Sequence, residues 1–138
     1  MLFEAKRFTF RKSERLCGGK AIEDLYKSNS SKLIFPYKVF WRISSHDEAS
    51  NCRILISVPK RFFRKAVERN LIKRRIREAY RLSKPEWLVF LVEQNIKLDL
   101  AIIYIDKKAL PFASIQKSIG KMITYLREEI CSQKKKNQ

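Results

Sequence analysis

Ala21, Ile22, Leu25 and Tyr26 fall at i, i+1, i+4 and i+5, the spacing of one face of a short helix. Gly18 and Gly19 open it, and a Ser/Asn cluster after Lys27 closes it. From Leu33 to Ser44 the chain turns to Phe, Tyr, Val, Trp and Ile, which predicts a strand made irregular at its start by Pro36. A polar loop, SSHDEASN, follows. Cys52, Ile54, Ile56 and Val58 then alternate with Arg53, Leu55 and Ser57, a second strand with one face buried. The two strands are expected to pair as an antiparallel hairpin closed by Pro59.

The next periodic stretch, Glu68 to Arg81, is a helix with an apolar side, and Pro85 is expected to interrupt it. By period alone EWLVFLVEQN reads as either a short helix or a strand, and the helix is favoured. LDLAIIYID is apolar on both faces, as a strand in the sheet interior would be. Ile115, Ile119, Met122, Ile123, Leu126 and Ile130 share one side of a final long helix. The order predicts an α+β fold: a small, mostly antiparallel sheet packed with helices. A single domain spans residues 1–132, with residues 1–12 extended over its body and residues 133–138 forming a frayed basic tail.

Composition changes the picture through charge. In 138 residues, 31 Lys and Arg face 14 Asp and Glu, a formal net charge of +17. Such a chain repels itself on compaction unless a polyanion is bound, and nucleic acid is the expected partner. No apolar run is long enough to span a bilayer, and no basic and apolar leader opens the chain, so the expected location is cytoplasmic. Cys17, Cys52 and Cys131 lie far apart with no C-x-x-C spacing. They read as free thiols of a reducing compartment, Cys52 as a small buried hydrophobe.

The charge is concentrated on one helix. At about 100° per residue, Lys73, Arg77, Asn70, Arg81 and Arg74 fall within an arc of about 100°. Leu71, Leu82, Ala79, Ile72 and Ile76 occupy the opposite side. Arg75 lies inside the apolar arc and must turn its head group outward. Arg69 sits roughly 40° beyond the stripe, where the wheel alone does not set its role. A solvated surface helix alternates acids with bases, because like charges four apart cost a few tenths of a kcal/mol. Here Lys73, Arg77 and Arg81 stack without an acid in the arc, a repulsion that a polyphosphate would turn into attraction. Lys60, Arg61, Arg64 and Lys65 lead up to the helix, while Arg42 and Arg53 project from the strands. Tyr26, Phe40, Phe62 and Phe63 are candidate stacking platforms, or simply core.

RNLIKRRIRE, Arg69 to Glu78, preceded by ISVPKRFFRKAVE, resembles the signature of the protein component of bacterial ribonuclease P. That family carries Arg-Asn-x-x-Lys-Arg-x-x-Arg on its central helix, matched here by Arg69, Asn70, Lys73, Arg74 and Arg77. The resemblance implies an α/β sandwich like the second domain of ribosomal protein S5, with a left-handed βαβ crossover. It also implies a subunit that binds a catalytic RNA and the 5′ leader of precursor tRNA, assisting endonucleolytic removal of the leader. The resemblance sets Arg69, Asn70, Lys73, Arg74 and Arg77 against the RNA, and the charge pattern adds Arg81, Lys60, Arg61 and Lys65 to the expected RNA-binding residues. Ile22, Tyr26, Phe40 and Arg53 are the implied leader-cleft residues. Two positions depart from the family: the turn before the helix has Phe63 and Arg64 where a Gly is usual, with one residue more, and Ile22 replaces an aromatic.

No catalytic or metal-binding set is expected in the protein itself. Asp47–Glu48, Glu128–Glu129, Asp99 and Asp106 read as ordinary solvated acids, and His46 is the single histidine. This agrees with what the resemblance implies, that the chemistry resides in the RNA, with Mg2+ held mainly by its phosphates; no obligate protein partner is expected. The competing readings are a ribosomal or assembly protein using the same helix as structural glue, and a helix-turn-helix DNA binder, disfavoured because no Gly-turn helix pair precedes the stripe.

Overall fold

The computed structural model describes residues 14–16, 18–28, 30–44 and 50–136, with side chains up to residue 133. The expected extended segment 1–12, Cys17, His46 and the Asp47–Glu48 pair lie outside the described residues. The elements in chain order are α1 (Gly19–Lys27), β1 (Ser31–Ile34), β2 (Tyr37–Ser44), β3 (Cys52–Ser57), α2 (Ala66–Glu93), β4 (Lys97–Tyr104) and α3 (Phe112–Lys136). Gly18 enters α1 at φ 97°, backbone that side chains other than glycine rarely tolerate. The backbone of α3 stays helical to Lys136, through part of the segment expected as a tail.

The strand order is β1-β2-β4-β3. The stretch expected as one strand from Leu33 is two, β1 and β2, folded into a hairpin through Phe35 and Pro36. The expected pairing of β2 with β3 is also corrected. β4 lies between them, antiparallel to β2 and parallel to β3. Its residues from Leu98 to Ile102 are all buried, and a strand covered on both faces gains more in the middle of the sheet than at an edge. The connection from β3 through α2 to β4 is therefore a crossover between parallel strands.

The two faces of the sheet bury different cores. On one, Trp41, Ile54, Leu98, Leu100 and Ile102 pack with Ile72, Ile76, Trp87 and Leu91 of α2 and Ile115, Met122 and Leu126 of α3. On the other, Ala101 meets Leu16 and Leu25, with Ile22, Phe40 and Leu55 packed around them. Outside β3, Leu16 donates its N–H to the Ile54 carbonyl at 3.0 Å, and Arg15 bridges Ile54 in the parallel sense.

α2 runs unbroken for 28 residues, about 42 Å, so Pro85 does not end it. A proline inside a helix removes one hydrogen bond and crowds the preceding turn, at about 3 kcal/mol. Beyond it Trp87 and Leu91 are fully buried and Phe90 nearly so; at about 1.5–3 kcal/mol each, their burial outweighs the proline. The favoured helix over EWLVFLVEQN is thus the continuation of α2. It ends where Asn95 takes φ 56° and Ile96 N–H reaches back to the Leu91 carbonyl at 3.0 Å.

Candidate nucleic-acid interface

The helical period places Ile72, Ile76, Ala79 and Tyr80 of α2 in the core and leaves Asn70, Arg74 and Arg77 exposed, with Lys73 and Arg81 half-buried. Among the described residues no acid forms an ion pair with Lys73, Arg74 or Arg77. Arg81 differs. Its Nε donates to Glu78 Oε2 at 2.9 Å, and its Nη2 pairs with Glu78 Oε1. That hydrogen bond holds the Glu78 carboxyl below its ordinary range, so the stripe is neutralised at one end by an acid just outside the arc. Arg75 turns out of the apolar side as expected and donates to the Leu110 carbonyl at 2.6 Å. Leu82, on the packing side of the wheel, is 43% exposed, bordering a groove where α2 meets Gly120 and Thr124 of α3.

Lys60, Arg61, Arg64 and Lys65 are all exposed on the loop before α2. Phe63 anchors this loop in the core, its ring 6.0 Å from that of Tyr104. The Arg61 guanidinium lies 4.8 Å from the centre of the half-buried Phe62 ring. Phe62 and Phe63 are therefore packing residues, not open stacking platforms. Arg69 donates from Nη1 to the carbonyls of Phe63 at 2.9 Å and Arg64 at 2.8 Å.

Register settles which strand residues share the α1 side of the sheet. Phe40, Ala101 and Leu55 form one row across β2, β4 and β3; Arg42, Asp99 and Arg53 form another, two residues along β4, or about 6.6 Å. The first row carries an aromatic contact. Tyr26, 39% exposed, meets Phe40 edge to face with ring centres 5.0 Å apart, and Ile22 packs in the same cluster. Lys38, which sequence reasoning passed over, places Nζ 5.3 Å from the centre of the Phe40 ring. Strand alternation alone puts residues 38 and 40 on one face, a signal that was available.

The second row is an ion-pair array. Arg53 Nε donates to Asp99 Oδ1 at 2.8 Å and Nη2 to Oδ2 at 2.9 Å. The Asp99 side chain is 1% exposed and that of Arg53 15%. Asp99 is therefore not a solvated acid: it sits in the central strand, where only a paired guanidinium makes a buried carboxylate tolerable. Arg42 turns the other way, to Asp24 of α1 at 3.5 Å. A second buried pair joins Lys84 of α2 to Glu14, with Nζ donating to Oε1 at 3.1 Å. Lys84 follows Arg81 by three residues and so prolongs the cationic side of α2, where Glu14 meets it.

Cys52 is fully buried, and burial pushes its thiol from 9.0 up to about 11. This agrees with a packing role. Among the described residues no three His, Cys, Asp or Glu side chains gather as metal ligands, and no helix is long and apolar enough to cross a membrane.

A crossover sheet capped on one face by a short helix, with a long helix whose flank carries Lys73, Arg74 and Arg77 without ion pairs among the described residues, is the build of a small polyanion-binding α+β domain. The family model for ribonuclease P matches residues 10–127. The ribonuclease P protein component of Porphyromonas gingivalis is 30% identical over 131 residues, covering 95% of this chain and 96% of that protein. Among solved structures, the Staphylococcus aureus RNase P protein superposes with a TM-score of 0.65 at 26% identity, over 83% of this chain and 96% of that one. The Thermotoga maritima RNase P protein shares the fold, with a TM-score of 0.62 at 22% identity over 80% and 94%. The chain belongs to the ribonuclease P protein family, whose members are subunits of a ribonucleoprotein endonuclease that processes precursor tRNA.

Proposed function

We propose that the exposed flank of α2 is the surface that docks on the ribonuclease P RNA. Asn70, Lys73, Arg74 and Arg77 form its centre, Lys60, Arg61 and Lys65 extend it, and Arg69 and Arg81 sit at its margins. The observation that carries this reading is the absence of ion pairs on Lys73, Arg74 and Arg77 among the described residues, since counter-ions held there are released when phosphates replace them. Asn70 adds an amide that donates and accepts, suited to a 2′-hydroxyl.

The single-stranded 5′ leader of precursor tRNA lies across the row of Phe40, against Ile22 and Tyr26. The half-exposed Tyr26 ring offers a stacking face, Lys38 offers charge to a passing phosphate, and Arg53 borders the cleft from the adjacent row. The Mg2+ that serves hydrolysis is assigned to RNA phosphates, because a chain of net charge +17 repels a divalent cation that phosphates attract. Residues 1–132 act as one RNA-binding unit in the cytoplasm.

Reconstitution tests the proposal. Added to its cognate RNA at low Mg2+, the protein should speed cleavage of a precursor tRNA while cutting nothing by itself. Unchanged cleavage would refute the assignment.

A further inference from the structure

We propose that Arg69 is a positioning residue that sets the cationic loop before α2, and does not owe its importance to a phosphate contact of its own. The inference rests on the reading of that loop and the α2 flank as an RNA interface.

Arg69 lies in the first turns of α2, where the helix dipole disfavours a cation. Its surroundings account for it. Two Nη1 hydrogen bonds, at 2.9 and 2.8 Å, run to consecutive carbonyls of the incoming loop, those of Phe63 and Arg64. The N-cap residue, Lys65, makes no side-chain cap, so Arg69 ties the loop down from inside the helix. Farther back, the Pro59 carbonyl accepts from the N–H groups of Phe62 and Phe63 at 3.3 and 3.4 Å. The loop contains no glycine, and its end next to α2 is held by the buried Phe63 ring and the Arg69 guanidinium. Lys60, Arg61, Arg64 and Lys65 are exposed on it, and their direction depends on where these two carbonyls are held. Arg69 also lies off the cationic arc of Asn70, Lys73, Arg74 and Arg77, toward the core.

The test compares Arg69→Met, which removes the donor, with Arg69→Gln, which keeps an amide donor and removes the charge. Each is measured for affinity to the RNA subunit and for salt dependence, in the wild-type chain and in a Lys60→Ala/Arg61→Ala/Arg64→Ala/Lys65→Ala background. A positioning role predicts that Arg69→Met weakens binding roughly tenfold, the scale of charge-assisted hydrogen bonds, and that Arg69→Gln recovers most of it. It also predicts that the Arg69→Met effect disappears once the loop cations are gone, because the two act as one unit. Equal losses in both variants, persisting in the neutralised loop, would mean a direct phosphate contact and overturn the proposal. So would full binding by Arg69→Met. If Arg69→Met does not fold, Arg69→Gln decides alone: near-normal affinity with an unchanged salt slope supports positioning, and a slope lower by about 0.7–0.9 opposes it. Arg74→Ala/Arg77→Ala is the control. If that variant binds normally the interface reading itself has failed, whatever Arg69 does.

Discussion

Asp99 and Arg53 face each other across the parallel boundary of β4 and β3, joined by two parallel hydrogen bonds of 2.8 and 2.9 Å. The pair closes the charge balance of a carboxylate set in the middle of the sheet. Removing one partner of a buried pair leaves a charge without compensation, a loss of about 3–5 kcal/mol. Arg53→Met is expected to cost toward the upper end, since it takes both charge-assisted hydrogen bonds from the more buried group. Arg53→Met/Asp99→Leu should be less destabilised than Arg53→Met. Urea unfolding of the three chains checks this; a double variant no more stable than Arg53→Met would show that the pair is not what holds the site.

The α2 flank predicts a salt response. Arg74→Ala/Arg77→Ala should weaken RNA binding and lower the magnitude of the log K against log salt slope by about 0.7–0.9 for each lost phosphate contact. The same variant should melt no lower than wild type, because removing like charges stacked along a helix relieves repulsion. Binding titrations from low to moderate salt, with a thermal melt beside them, separate the two effects. An unchanged slope would clear this flank of phosphate contact.

The Tyr26–Phe40 contact predicts a leader-specific defect. Phe40→Ala should reduce affinity for a precursor tRNA with its leader by about 1–3 kcal/mol, the worth of one stacked base. Affinity for mature tRNA should not change. Competition binding of the two tRNAs to the assembled enzyme reads the difference, and an equal loss on both would point to general damage to the fold.

Cys52 predicts the alkaline limit of stability. Its thiol titrates near 9.0 when unfolded and at about 11 when buried, so the folded state holds a proton that the unfolded state has released between those values. Stability from this group is complete below pH 9 and falls as pH climbs toward 11. Tyr80 and Tyr37, raised by burial as well, act in the same direction. Cys52→Ala should flatten the decline of the urea midpoint above pH 9. A second readout is thiol labelling: in the native protein at pH 8 a maleimide should reach the exposed Cys131 and spare Cys52.

The elements that rest on local period were legible from the residues alone. The cationic arc of α2, the apolar side of α3 and the interior character of β4 each repeat a spacing that survives without knowledge of neighbours. Pairing was not legible. The alternation of Cys52, Ile54 and Ile56 says that β3 has a buried face, but not that β4, forty residues on, would part it from β2. For the same reason Asp99 read as a solvated acid: only the register that sets it opposite Arg53 shows how its charge is met. Pro85 misled for a different reason, since its local cost is visible in the chain while the burial of Trp87 and Leu91 that outweighs it depends on the whole fold. Arg69 matched the family signature by position, and its two carbonyl partners belong to a loop whose path a helical wheel does not contain.

Leu16 and Arg15, laid along the outer side of β3, act as a selvedge for the sheet. Trimming the chain from its front through Leu16 would strip that border and remove Glu14 from Lys84, leaving β3 with backbone donors and acceptors that a neighbouring molecule could extend. A shortened protein of this kind should therefore fail first by sticking to itself, before any loss of its basic helix.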